Sequence, residues 1–287
     1  MILVSGAAGK TGLAVIAALS QEGQAVRAIV KDATQEARVR EAGAVEVVAG
    51  DMSRAEVWQT ALEDISAVYH VAPNMHAEEV LMGRIALSRA QTVGVGHFVY
   101  HSVLHPQTAT MPHHWNKLRV EEMIFESGLP FTILQPAAYM QNILAGWRKI
   151  NVEGVYRVPY PVLTRLSLVD LGDVAQVAAR VLTEPGHVGA TYELVGTQPL
   201  AQTEVAELLA EALSRPVEAR EVALEEWREE AKEAGTPEHA MEALLKMFRY
   251  YAAYGFVGNP RVLTWLLGRQ PRGLPELAAG WRLETGN

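Results

Sequence analysis

Three glycines spaced three apart, Gly6, Gly9 and Gly12, follow the apolar run Ile2, Leu3, Val4 and precede a second apolar run from Leu13 to Leu19. The letters Gly9-Lys10-Thr11 resemble the end of a nucleotide-hydrolysing loop. That loop needs a glycine five positions before Gly9, where the chain has Val4. The hydrolysis reading therefore fails on spacing. What remains is strand, glycine turn and helix, the context of a dinucleotide cradle. One glycine permits the tight turn, one lets backbone N–H groups approach a pyrophosphate, and one lets helix pack close on strand. The helix N-terminus adds its partial positive charge. Taken alone, the triplet also fits an ordinary strand-to-helix turn.

A dinucleotide site that prefers an unphosphorylated ribose carries an acidic residue about 20 positions on, at the end of the second strand. Here "AIVKDAT" puts Lys31 at that place. A lysine there pairs with a 2′-phosphate, and Lys10 in the turn is near enough in sequence to help. This favours NADP(H), with NAD(H) left open because Asp32 stands next door.

Other chemistry is weaker. His97, His101, His105, His113 and His114 crowd one region, but no carboxylate lies at metal-ligand spacing among them, so no metal is expected. Ser102 sits in "YHSVL" rather than in a GxSxG elbow, which argues against a serine hydrolase.

The elements that must hold these residues are legible as alternation. Near-continuous apolar runs at 24–30, 44–50, 66–72, 96–103 and 130–136 join the first one as six strands, with helical segments near 34–42, 53–63, 76–93 and 115–127. Such alternation implies a parallel sheet covered on both faces, a doubly wound α/β fold of the Rossmann type. Beyond residue 150 the pattern changes: a short strand "RLSLVD", a helix from Asp173 to Leu182, a strand "ATYELVG", then Glu- and Ala-rich helices at 201–213 and 224–253. The expected division is a dinucleotide-binding domain at 1–150 plus about 164–185. A smaller C-terminal α/β lobe, at about 151–163 and 186–287, is expected to close over the carboxyl ends of the strands.

Composition bounds the function. The chain of 287 residues is 49% hydrophobic, enough for a substantial core, and carries 25 Lys and Arg against 33 Asp and Glu, a formal charge of −8. That balance argues against direct nucleic-acid binding, so a regulatory role would act through a protein partner. Zero cysteines exclude disulfides, thiolate nucleophiles and cysteine-held metals. With no signal-peptide pattern and no apolar run near the ~18 residues of a membrane span, the expectation is a cytoplasmic protein without a membrane segment.

The stretches "GAAGKTG", "VVAGDM", "HSVLHP" and "HHWNKLRVEEMIFESGLPFTILQPAAYMQNIL" resemble the NmrA-like family, atypical members of the short-chain dehydrogenase/reductase superfamily, over roughly the first 200 residues. The resemblance implies that Gly6, Ala8, Gly9, Lys10, Thr11 and Gly12 form the cofactor turn, with Lys31 at the 2′-phosphate. Asp51 and Met52 would lie by the adenine, and Ala72 and Pro73 by the adenosine ribose. Lys117 would bind the nicotinamide ribose, and Pro136 would pack near the nicotinamide. Reductases of the wider superfamily have a Tyr four residues before the Lys and a Ser that steadies the carbonyl oxygen. Here position 113 is His, while Ser102 stands near the expected serine. The candidate catalytic set is thus Lys117, His113 and Ser102, with His113 read either as an acid or as a solvated helix-start residue. Two functions follow: an NAD(P)H-dependent reductase of a quinone or similar conjugated electrophile, or an NADP(H) sensor signalling through a partner without turnover. A small-molecule acceptor, and a protein partner or second copy, are the expected partners.

Overall fold

The computed structural model describes residues 1–284. The chain divides into two compact units, Met1–Pro136 with Val174–Tyr192, and Ala137–Asp173 with Glu193 onward. In chain order the first part runs β1 (Ile2–Val4), α1 (Lys10–Gln21), β2 (Val26–Val30), α2 (Glu36–Glu41), β3 (Glu46–Ala49), α3 (Ala55–Ala61), β4 (Ala67–His70), α4 (Glu79–Val93), β5 (His97–His101), α5 (Pro112–Glu126) and β6 (Phe131–Pro136). There follow β7 (Ala138–Tyr139), β8 (Val155–Val158), β9 (Arg165–Leu166), β10 (Leu168–Val169), α6 (Leu171–Thr183) and β11 (Ala190–Leu194). The chain continues through β12 (Leu200–Ala201), α7 (Gln202–Leu213), β13 (Glu218–Glu221), α8 (Leu224–Glu233), α9 (Glu238–Tyr254), α10 (Arg261–Leu267) and α11 (Leu274–Glu284).

The first unit is built on a seven-stranded sheet in the order β11-β6-β5-β4-β1-β2-β3. Strands β1 to β6 pair in parallel. Order reverses at β1, whose neighbours are β2 and β4, so the crevice beyond the carboxyl ends of β1 and β4 is the switch point of a doubly wound sheet. Helices cover the sheet because each presents an apolar stripe. Helix α1 buries Gly12, Val15, Ile16 and Leu19, and α4 buries Met82, Gly83, Ala86, Leu87 and Ala90. Under α3, α4 and α5 lies a core of Trp58, Phe98, Tyr100, Val120 and Ile124, each completely buried.

Helices α4 and α5 pack closely at Gly83. A Cβ on Gly83 of α4 would stand 2.8 Å from both methyl carbons of Val120 on α5. Glycine at this position lets the two helices approach beyond what alanine allows.

The second unit holds three two-stranded pairs, β7 with β10, β8 with β13 and β9 with β12. Its interior is aromatic: Tyr160 meets Phe248 and Tyr251, and Trp227 packs edge-on against Phe248. Asp173, fully buried, is held by the Arg269 guanidinium at 2.6 Å and the Arg272 amide at 2.7 Å.

Four expectations change. "ATYELVG", assigned above to the smaller lobe, supplies β11 and forms the edge of the large sheet, where Gly189 N–H donates to Phe131 O at 2.7 Å. The first segment of the first unit ends at Pro136, not near residue 150, because Ala138 and Tyr139 pair with Leu168 and Val169 instead of continuing β6. "RLSLVD" is two short strands, β9 and β10, which pair with different partners. The expected helix 224–253 is two helices, broken at Gly235, which has a positive φ of 76°, and Pro237, whose ring cannot continue a helix.

Candidate functional site

Every predicted cofactor residue lies in the first unit, and all but Lys117 follow the carboxyl end of a strand. The glycine turn follows β1, Lys31 follows β2, Asp51 and Met52 follow β3, and Ala72 and Pro73 follow β4. Ser102 follows β5, and Pro136 ends β6. Lys117 enters from α5.

The three glycines have different jobs. Gly6 has φ +57°, and a Cβ there would lie 2.3 Å from Val71 O; a Cβ on Gly12 would lie 2.5 Å from Gly6 O. These two are required by the fold itself. Gly9 is exposed and sits at the N-cap of α1 with ordinary extended angles. Its nearest obstacle to a Cβ is Gly6 O at 3.3 Å. The space beside Gly9 therefore opens outward. The first turn of α1 has no acidic residue and no side-chain cap, so its amides face an approaching anion. Ser5 braces the turn: its hydroxyl is hydrogen-bonded to His70 Nδ1 at 2.8 Å and accepts Val71 N–H at 3.2 Å, which ties the ends of β1 and β4 together at the switch point.

Beyond β2, Lys31 is exposed, while Asp32 accepts Thr34 N–H at 3.0 Å and caps a short 3-10 turn. The Thr34 bonds hold the Asp32 carboxyl below its ordinary range. Asp32 is thus hydrogen-bonded within its own turn, and Lys31 beside it is exposed. Asp51 accepts Ser53 N–H at 2.8 Å, and this bond likewise lowers its carboxyl. Met52 is buried, its carbonyl accepting the Trp58 indole N–H at 2.8 Å. Ala72 is buried and Pro73 exposed. These features, the outward gap at Gly9 above all, fit a dinucleotide laid along this edge of the sheet.

At the other end, Lys117 Nζ lies 2.5 Å from Glu79 Oε1 and donates to His101 O at 3.2 Å. Tyr100 donates its phenol to the same Glu79 oxygen at 3.2 Å, and the ammonium stands 5.6 Å from the Tyr100 ring centre. One turn further along α5, Glu121 accepts the Ser102 hydroxyl and the Gln135 amide, the latter at 3.0 and 3.1 Å. Burial raises the Glu121 carboxyl, against the pull of these bonds. Ser102 is buried, and its proton is directed at Glu121.

His113 is not the solvated residue that one sequence reading allowed. Helix α5 begins at Pro112, and His113 is buried edge-on against His114. Desolvation lowers its pKa to about 3 and that of His114 to about 4. Both rings are neutral near pH 7. His101 is buried with its Nδ1 2.5 Å from the Tyr69 phenol oxygen, and its pKa is about 3 for the same reason. His97 meets Thr132 Oγ1 at 2.9 Å. Among the described residues no cluster of three His, Asp or Glu side chains is arranged to hold a metal.

Sequence reading missed Glu79 and Glu121. Both interrupt the buried stripe of an amphipathic helix. Glu79 stands three and four positions before Met82 and Gly83, and Glu121 follows Val120 and stands three before Ile124. A carboxylate in such a stripe is rarely buried without a partner, and that is the signal that marks it.

The NmrA-like family model matches residues 1–279. The chain is 30% identical to the NAD(P)H azoreductase of Xenophilus azovorans over 97% of its own length and 96% of that protein. Its fold superposes on the Escherichia coli NADPH-dependent quinone oxidoreductase complexed with NADPH with a TM-score of 0.85, at 24% identity, covering 98% of this chain and 99% of that one. The Citrobacter triphenylmethane reductase complexed with NADP(H) gives a TM-score of 0.85 at 25% identity, covering 98% and 99%. Glycine turn, strand order and the match along nearly the whole chain agree: the protein belongs to the NmrA-like family.

Proposed function

We propose that the protein is an NADP(H)-dependent reductase that passes hydride to a quinone or a similarly conjugated electrophile. In this reading the turn Gly6, Ala8, Gly9, Lys10, Thr11 and Gly12 holds the pyrophosphate, and Lys31 with Lys10 holds the 2′-phosphate. Asp51, Met52, Ala72 and Pro73 line the adenosine end. Lys117 binds the nicotinamide ribose, and Pro136 flanks the nicotinamide. The cofactor supplies the hydride; the chain supplies placement.

One observation carries the choice of acceptor. Neither residue 113 nor Ser102 offers a ready proton to a developing alkoxide: position 113 is a buried neutral imidazole in place of a phenol, and the Ser102 hydroxyl is donated to Glu121. An acceptor whose reduced form spreads its own negative charge suits such a site, whereas a simple ketone needs a positioned acid. The names of the relatives, an azoreductase, a quinone oxidoreductase and a triphenylmethane reductase, agree with acceptors of this kind.

The test is NADPH oxidation with a panel of quinones, an azo dye and simple ketones. Quinone turnover well above ketone turnover is expected. Tight NADPH binding with zero turnover on every acceptor would replace the enzyme with a cofactor sensor that acts through a protein partner.

A further inference from the structure

Lys117 brings an ammonium to the inner end of the site, and how it is held decides what it can grip. It leaves α5 where Gly83 lets α4 come close; Glu79 is one turn before Gly83 and Lys117 one turn before Val120, so the close approach of Gly83 and Val120 also brings the carboxylate to the ammonium. Of the three ammonium protons, one is directed to Glu79 Oε1 and one to His101 O. The Glu79 side chain is 2% exposed and that of Lys117 15%. A single N–H is left to point outward, and its direction is fixed by the other two.

We infer that Glu79 is the positioning residue of the cofactor site: it pairs with the Lys117 ammonium and aims its remaining N–H at the cofactor's nicotinamide ribose. This rests on the assignment of Lys117 to that ribose. Glu79 acts through Lys117 and does not touch the reacting atoms. Tyr100, donating to the same carboxylate oxygen, keeps it from swinging away.

The surroundings supply no substitute for Glu79. The groups that face the ammonium are His70 on β4, His101 and Tyr100 on β5, and His113, His114 and Glu121 on α5. The four histidines are neutral near pH 7, with pKa lowered to about 3 or about 4 by burial. Glu121 is occupied by Ser102 and Gln135. Removing the Glu79 charge leaves a mostly buried ammonium among neutral rings, with no carboxylate to fix its direction.

The experiment measures the Kd of NADPH at neutral pH for the wild type, Glu79→Gln, Glu79→Asp, Lys117→Ala and the Glu79→Gln/Lys117→Ala double variant. 2′,5′-ADP serves as a second probe, because it occupies only the adenosine end. Glu79→Gln is expected to weaken NADPH roughly tenfold, while 2′,5′-ADP binding stays unchanged. Glu79→Asp, which keeps the carboxylate, is expected to recover part of the NADPH affinity that Glu79→Gln loses. In the Lys117→Ala background Glu79→Gln should add little. Equal losses for NADPH and 2′,5′-ADP would show that Glu79 is merely structural. An unchanged NADPH Kd in Glu79→Gln, beside a clear loss in Lys117→Ala, would overturn the inference alone. No loss in Lys117→Ala would overturn the assignment of Lys117 itself and the inference with it.

Discussion

The glycine turn and the Lys117 network lie on the same sheet and solve opposite problems. At the turn, the first turn of α1 has neither acid nor side-chain cap, and Gly9 faces outward. At Lys117, charge is already answered by Glu79, hydroxyls are already spoken for, and the histidines are neutral. A pyrophosphate brings its own charge, so the turn has only to offer N–H groups and room. A ribose and a flat ring bring little charge. In the proposed reading the inner end works by fixed direction, with its own charges paired before the ligand arrives.

The sharpest way to break this comparison is Gly9→Asp. Asp is a preferred N-cap, the φ at Gly9 is ordinary, and the nearest obstacle to a Cβ is one oxygen at 3.3 Å, so the fold should keep or gain stability. The new carboxylate would stand where the pyrophosphate must come, and NADPH affinity should fall by at least ~10²-fold. Cofactor fluorescence titration beside a melting curve checks both halves. A stable variant with wild-type affinity would show that the turn is not the cradle.

Lys31→Asp sharpens the comparison at the outer end, where it should separate the two nicotinamide cofactors. NADPH should weaken roughly 10- to 100-fold through loss of a charge-assisted bond and gain of a repulsion. NADH should change little or improve, since its ribose gains an acceptor. Isothermal titration with both cofactors decides it; equal losses would reduce Lys31 to surface charge.

The same contrast explains what sequence alone could yield. The glycine turn is local: strand, spacing and helix are contiguous, and the steric need for Gly6 and Gly12 is met within a few residues and the neighbouring β4. The order of strands and helices was likewise legible, because burial on both faces makes each strand a continuous apolar run. The Lys117 network is assembled across chain separations of 38 residues to Glu79 and 14 from Glu121 to Gln135, and depends on how closely α4 meets α5. A stripe position occupied by Glu shows that a partner is needed without saying which one. His113 was misread as possibly solvated for a related reason: its position at the start of α5 was visible, but its burial is a property of the packed structure.

A smaller effect follows from the buried rings at the inner end. The pKa values of His70, His101 and His113 are lowered by desolvation to about 3, and that of His114 to about 4, from 6.5. The unfolded chain takes up protons on these rings near pH 6.5 while the folded chain refuses them. The stability they contribute is present above about pH 6.5 and is lost progressively as pH falls toward 4 and 3, at up to ~1.4 kcal/mol per unit for each ring. Glu121, with a raised carboxyl pKa, has the opposite sign and does not cause this loss. Urea midpoints should be level from about pH 7 to 8 and decline below about pH 6.5. A level profile down to about pH 4.5 would mean that these rings are not held neutral.

The smallest expected effect is on turnover in His113→Asn, a change of similar size chosen to spare the packing. The imidazole occupies the place at which a proton-donating phenol would stand, four residues before Lys117, which makes it the natural suspect for an acid. Its environment argues otherwise. With a pKa near about 3, almost none of it is protonated at neutral pH, and its Nδ1 finds no hydrogen-bond partner among the described residues. A general acid works best when its pKa lies near the working pH, and a neutral imidazole is a far weaker donor. Turnover of a quinone at saturating NADPH should therefore stay within about threefold of wild type, against the ~10²-fold or larger loss typical of a removed proton donor. The pH dependence of kcat should be unaltered as well, because a ring that stays neutral contributes no ionisation to it. A loss of ~10²-fold in kcat at unchanged NADPH affinity, with the melting temperature preserved, would promote His113 to the acid. It would also erase the contrast between the ends, since the inner end would then carry a proton as well as a direction.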